Sequence, residues 1–381
     1  MELQVRKATW LELFYDLVFV VAIAKAVHTL GHAHEGHIPI DLYGKYILIM
    51  VPLWWAWTGH TLFSNRFDTD DTLQRLMTLA QMACAASMAL FISADFEPNY
   101  RGFLLSYVAL RGLLVLMYWR ASVTSKIGAI LARYLAHAFT FGLLISLSSL
   151  FFDTPWNYVV MYAGIFVDIL MPLVLRGHLV RFPVQSHHLP ERFGLLTIIL
   201  LGESVASLVS TLVGVPLTTE TQIAAFAGFI WIAAIWWIYF ENLEHRIYGR
   251  ALGTGQTVIY LHLVIYIALG GIANAIRFAV DPALTLSDYK WLAGASTIVF
   301  VIALEWLHLT YHQKIERGAV LRHGAILLCL VIGALWMSRS SLIVVVSIAA
   351  IFAAYAVVDT KRRHMSPPSR STLAGVQDSS D

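Results

Sequence analysis

Long apolar runs alternate with short polar segments along the whole chain. The runs fall near residues 10–30, 45–63, 72–94, 101–119, 128–150, 156–175, 190–214, 222–240, 251–279, 289–309, 321–338 and 341–358. Each is close to the roughly 20 residues that a helix needs to cross the hydrocarbon core of a bilayer. The pattern predicts an all-α membrane protein of about twelve transmembrane helices. Twelve spans consume roughly 240 residues, which leaves short loops and no room for a soluble domain among 381 residues. The first run begins near Trp10, has full span length and is not followed by a small-residue cleavage site, so it reads as a retained helix.

The basic residues sort by side. If successive loops alternate across the membrane, the side of the N-terminus holds 19 of the 26 Lys and Arg and the opposite side holds 4, Lys45, Arg101, Lys290 and Arg339. Lys25, Arg111 and Arg277 fall inside runs. Cytoplasmic loops carry the basic excess, so both termini are expected in the cytoplasm, and a wrong span count would have scrambled the alternation. Composition agrees: 58% of residues are hydrophobic and 13% charged, against about 25% charged in soluble domains. A net charge of +2 gives no reason to expect a nucleic-acid partner. Cys84 and Cys329 both lie in apolar runs, so neither a disulfide framework nor a zinc site is indicated.

The twelve runs divide into two sixes, 1–180 and 181–360, followed by a Ser- and Pro-rich tail, 361–381, expected to be disordered and cytoplasmic. Glu12 with Phe14 opens the first half and Glu191 with Phe193 the second. A tryptophan pair follows each, Trp54-Trp55 and Trp236-Trp237, at offsets from the Glu of 43 residues to Trp55 and 45 to Trp236. This weak similarity, at a period of about 180 residues, predicts two pseudo-repeated halves of equal orientation, as secondary transporters often use. The alternative is that any two apolar stretches look alike. Between the first two runs, Gly31-His32-Ala33-His34-Glu35-Gly36-His37 reads as an exposed, pH-sensitive loop in preference to a metal site.

Ionisable residues inside spans are costly and default to functional candidates. The first run carries Glu12, Asp16 and Lys25; Arg111 lies in the fourth, Asp168 in the sixth, Glu191, Arg192 and Glu203 in the seventh and His262 in the ninth. These nine form the expected substrate or proton pathway. Glu12 and Asp16 are four apart and share a helix face. Two carboxylates at that spacing repel when both are ionised, which suits a proton carrier. The competing reading pairs them with arginine or backbone donors that lock helices together. Lys25 and Glu203 lie at matching depths if the halves are repeats and are expected to form an ion pair; a structural bridge and a substrate site both remain open. Arg277, beside Asn274 near a span end, reads as a snorkelling side chain. Glu305, His308 and His312 share a helix face and are weak metal candidates. No Walker loop, dinucleotide fingerprint, Gly-x-Ser-x-Gly or His-Glu-x-x-His occurs, so no cofactor is expected and enzymatic activity is not favoured.

The run Glu12-Leu-Phe-Tyr-Asp16-Leu-Val-Phe-Val resembles the opening signature of the bacterial low-temperature-requirement A (LtrA) family. So does His188-Leu-Pro-Glu191-Arg192-Phe193-Gly194, which runs on into Leu201-Gly202-Glu203-Ser204. Asp68-Thr-Asp70-Asp71 and Tyr260-Leu-His262-Leu are similar to further family positions. The resemblance extends from about residue 8 to 358 and implies a bacterial inner-membrane protein linked to growth at low temperature, with no settled biochemical activity to carry over. A proton-coupled secondary transporter of a small polar or charged solute, held in a lipid bilayer, accounts best for the paired halves and buried acids. The alternatives are a membrane-embedded enzyme acting on lipid at the cytoplasmic leaflet, and a structural or stress protein without transport. A cavity lined by Glu203 and Lys25 would favour the first, a lateral groove at Glu12 and Glu191 the second.

Overall fold

The computed structural model describes residues 7–125, 128–247, 252–311 and 317–365. Among these, twelve long helices stand where the twelve apolar runs predict them, with one short helix inserted. They are α1 (Trp10–Leu30), α2 (Ile40–Phe67), α3 (Thr72–Leu90), α4 (Tyr100–Thr124), α5 (Ala129–Ser148), α6 (Trp156–Val174), the short α7 (Arg176–Leu179), α8 (His188–Gly214), α9 (Thr219–Arg246), α10 (Gln256–Val280), α11 (Leu286–Tyr311), α12 (Arg317–Met337) and α13 (Ser341–Met365). The tail expected beyond Met365 lies outside the described residues.

Ten of the twelve long helices are apolar and long enough to cross a membrane; α2 and α3 are not among them. Their positions explain their polarity. From Pro52 to Asn65 every residue of α2 is buried, including Trp54, Trp55, Trp57, His60 and Asn65, so protein rather than lipid surrounds it. Polar residues in a bundle are tolerated where they face its interior. In α3 the buried stripe is Gln74, Thr78, Gln81, Ala85 and Met88, while Leu73, Leu76 and Leu79 face outward. Gln81 accepts a hydrogen bond from Tyr15 of α1 at 3.1 Å. An apolar outside over a polar, small-residue inside is the arrangement a bilayer demands, because each interior polar group finds its partner within the protein. Large apolar side chains are exposed on almost every helix; a surface of that kind needs lipid to cover it. The chain is a multi-pass membrane protein.

Packing repeats in order along the two sixes. Helix α1 packs on α2 and α3, and α8 on α9 and α10; α3 packs on α4 and α10 on α11; the chain of neighbours α4, α5, α6 matches α11, α12, α13. The sixes meet where α1 and α2 contact α8 and α10. The residues aligned by the internal similarity differ in environment: Trp54 and Trp55 are 1% exposed, whereas Trp236 and Trp237 are 44% exposed. Helices α1, α8 and α10 run parallel. The segment entering α1 touches the start of α8 through Ala8 N–H and Glu191, and the end of α1 touches the end of α10 through Asn274 and Val27. Below, the near end of the bundle is where α1 begins and the far end is where it stops.

Candidate functional site

A buried charge network sits between α1 and α8. Thr9 caps α1: Glu12 N–H donates to its hydroxyl at 3.3 Å and its own N–H donates to the Glu12 carboxylate at 2.8 Å. This capping box turns Glu12 inward, and Asp16 follows one turn later. From α8, Arg192 reaches both acids, Nη1 to Glu12 Oε1 at 3.2 Å and Nη2 to Asp16 Oδ1 at 2.5 Å. Trp57 Nε1–H of α2 donates to the same Asp16 oxygen at 2.7 Å, while Asp16 Oδ2 has no hydrogen-bond partner among the described residues. Glu12 is 3% exposed and Asp16, Arg192 and His188 are fully buried. Arg192, counted with the basic loop residues on sequence, thus lies inside the bundle.

The protonation of His188 follows from its neighbours. Gln185 N–H, an obligate donor, donates to Asn65 Oδ1 at 3.0 Å, which turns the Asn65 amide nitrogen to His188 Nδ1 at 3.0 Å. Nδ1 must accept, so the ring is a neutral Nε2–H tautomer and donates to Glu12 Oε2 at 3.3 Å. Two carboxylates here share the Arg192 guanidinium. Buried carboxylates this close to one another repel when both are ionised, and a proton on one of them would remove that repulsion.

A second ion pair lies within the first six helices. Arg111 Nη2 of α4 meets Asp168 Oδ2 of α6 at 2.6 Å, both buried. The guanidinium stacks at 4.8 Å over Phe139. Helix α5 passes so close that a Cβ on Gly142 would fall 2.0 Å from Asp168 Oδ1; only glycine fits there.

The expected Lys25–Glu203 pair does not form. Lys25 is exposed, and the ionic partner of Glu203 is His28, at 4.0 Å. Helical phase gives the reason: nine residues separate Asp16 from Lys25, about two and a half turns, so Lys25 projects from the face opposite the network. Glu203 instead borders a small chamber of about 20 Å³, with Tyr266 and His28 in its wall, which has room for about one water. Beside it, sharing His28 and Ser207, is a cavity of about 400 Å³ at the far end, bordered also by Ser210, Thr211 and Arg277. Tyr266 separates the chamber from the charge network, and its hydroxyl donates to Phe193 O, the residue after Arg192, at 2.9 Å.

The other candidates are structural or lie apart. His262 receives the Tyr239 hydroxyl on Nε2 at 2.7 Å and donates from Nδ1 to Val258 O at 2.6 Å, a buried link between α9 and α10. Glu191 holds the segment entering α1. Asp71 caps α3 through Gln74 N–H and meets Arg120 at 2.5 Å, and Asp70 forms a twofold bond with Arg75. Glu305 accepts from Tyr355 at 3.2 Å and is 3.8 Å from His308; His312 lies outside the described residues. No group of three metal-ligating side chains occurs among the described residues. In the 31–37 loop, Gly36 O accepts from Thr285 N–H and His37 meets Asp288 at 2.7 Å, which fastens the loop to the start of α11. Sequence reasoning missed Trp57, Asn65, His188 and His28, ordinary residues with no local signal of their partners.

Fold and site together define a multi-pass, all-helical membrane protein with a buried acid–arginine network at its central seam. The chain belongs to the bacterial low temperature requirement A (LtrA) protein family, whose model matches residues 7–357. It is also similar to an uncharacterised protein of Rhizobium meliloti (strain 1021), 26% identical over 321 residues that cover 79% of this chain and 77% of the relative.

Proposed function

We propose that this protein is a proton-coupled secondary transporter of a small polar or charged solute, seated in the bacterial inner membrane with both termini in the cytoplasm. One observation carries the reading: two buried carboxylates share one guanidinium beside a neutral imidazole, at the seam between the two sixes. Protonation removes one carboxylate charge from the network and release restores it, so the proton changes how strongly α1 is held to α8. The six-helix halves 1–180 and 181–360 are the moving bodies, a reading supported by their matching order of packing and by the use of such repeats in alternating access. The far-end cavity of about 400 Å³, beside the one-water chamber that Glu203 borders, supplies the solute side. A lipid enzyme would need Glu12 open to a leaflet, and Glu12 is enclosed by Thr9, His188 and Arg192.

The test uses proteoliposomes with a lumenal pH dye. Adding solute mixtures outside wild-type vesicles should move protons inward, and Asp16→Asn should abolish that movement while leaving solute exchange. If folded Asp16→Asn still couples uptake fully to a pH gradient, the network is structural.

A further inference from the structure

Arg277 lines the far-end cavity together with Asp281, and Glu203 lines the one-water chamber that adjoins it through His28 and Ser207. Arg277 stands in the last turn of α10, where the helix dipole favours a cation. Among the described residues its guanidinium has no hydrogen-bond or ion-pair partner; it lies 5.5 Å from the Phe278 ring centroid. It lies against Gly31, the C-cap of α1, where a Cβ would fall 2.0 Å from Nη1. Any other residue at position 31 would drive Arg277 from the cavity wall. Glu203, half-buried, makes no hydrogen bond among the described residues, and the His28 ring lies 4.0 Å from it. Gly31 lies three residues beyond His28, so Arg277 stands roughly 5 Å farther out along α1 than the level of Glu203.

An unpaired guanidinium and an unpaired carboxylate in a membrane-embedded site each call for a counter-charge, and a molecule carrying both signs satisfies them together. The offset of roughly one helical turn between the two receptors suits adjacent carboxylate and ammonium groups. Between them, Ser207 and Ser210 offer hydroxyls, whereas Thr211 is turned back to Ser207 O at 2.9 Å. The volume of about 400 Å³ also leaves room for a side chain.

We infer that this cavity binds a small zwitterion of the α-amino-acid type, carboxylate on Arg277 and ammonium on Glu203. The inference rests on the transport reading, whose solute it names, but binding is measured without transport. Purified full-length protein in nanodiscs would be titrated by calorimetry with each of the twenty common amino acids. The best binder would then be compared with its amine-only and carboxylate-only analogues; for serine these are ethanolamine and glycolate. At least one amino acid should bind, and each analogue should bind at least about tenfold more weakly, as expected for losing a hydrogen-bonded charge. Arg277→Gln and Glu203→Gln should each weaken the amino acid by a similar factor. The analogue series needs no variant, so a misfolded mutant leaves the test intact. The inference is overturned if no amino acid binds, or if one analogue binds as tightly as the parent. Amino-acid binding without proton-driven uptake would refute the transport reading alone; proton-driven uptake of another solute, with no amino acid bound, would refute this inference alone.

Discussion

Replacing Arg192 by Gln removes the guanidinium that stands between Glu12 and Asp16, 3.2 Å and 2.5 Å away. Both acids stay buried, and breaking a buried pair by removing one partner costs about 3–5 kcal/mol. Asp16→Asn behaves differently. The amide oxygen still accepts from Trp57 Nε1–H, and Arg192 is left with Glu12 in a neutral pair, so the loss is about 1 kcal/mol. In that background Arg192→Gln exposes only Glu12, which retains His188 and the Thr9 N–H, and should cost about 1–3 kcal/mol. The double variant should therefore be no less stable than Arg192→Gln alone, with a coupling energy of about 1–3 kcal/mol. The assay is thermal unfolding in one detergent at one scan rate, followed by tryptophan fluorescence. Apparent midpoints are compared, because unfolding of such proteins is commonly irreversible. Additivity of the two substitutions within about 0.5 kcal/mol would refute the network as a coupled unit, and with it the shared guanidinium behind the proton-site proposal.

Gly142→Ala should displace Asp168 from Arg111 and lower stability by about 1–3 kcal/mol, seen as a reduced melting midpoint. Outside the spans, the Arg120 guanidinium first, then the Thr69 hydroxyl and Gln74 N–H, hold the Asp71 carboxyl well below the usual carboxylate range. A depressed folded-state pKa stabilises above the unfolded value, near 4, and that contribution fades as pH falls below it. Wild type should thus exceed Asp71→Ala by a constant margin above about pH 5 and by a shrinking one below about pH 4, read from melting curves across pH. A cytoplasm-specific reporter fused after Arg363 should be active, and a periplasm-specific one silent; the reverse pattern would overturn the topology drawn from the basic residues.

The positions of the long helices, ten of them apolar and long enough to cross a membrane, were legible in the chain because they depend on local composition: a segment that must lie in hydrocarbon is apolar over about 20 residues. The buried acids were legible too, since Glu12, Asp16, Asp168 and Glu203 stand out in such segments whatever the fold. Their partners were not. Lys25 and Glu203 match in depth, but pairing also needs both side chains to face one seam, and nine residues from Asp16 turn Lys25 to the other side of α1; the helical wheel held that signal. Nothing local marks Asn65, His188 or Trp57, which come from helices α2 and α8, 123 residues apart in the case of Asn65 and His188. The low hydropathy of α2 and α3 became intelligible only once neighbouring helices were seen to cover them. Arg277 passed for a snorkelling side chain because a cavity is a property of three helix ends at once. One-dimensional composition determines which segments enter the membrane; the rotation of each helix about its axis, and so which charges meet, is decided by packing against the others.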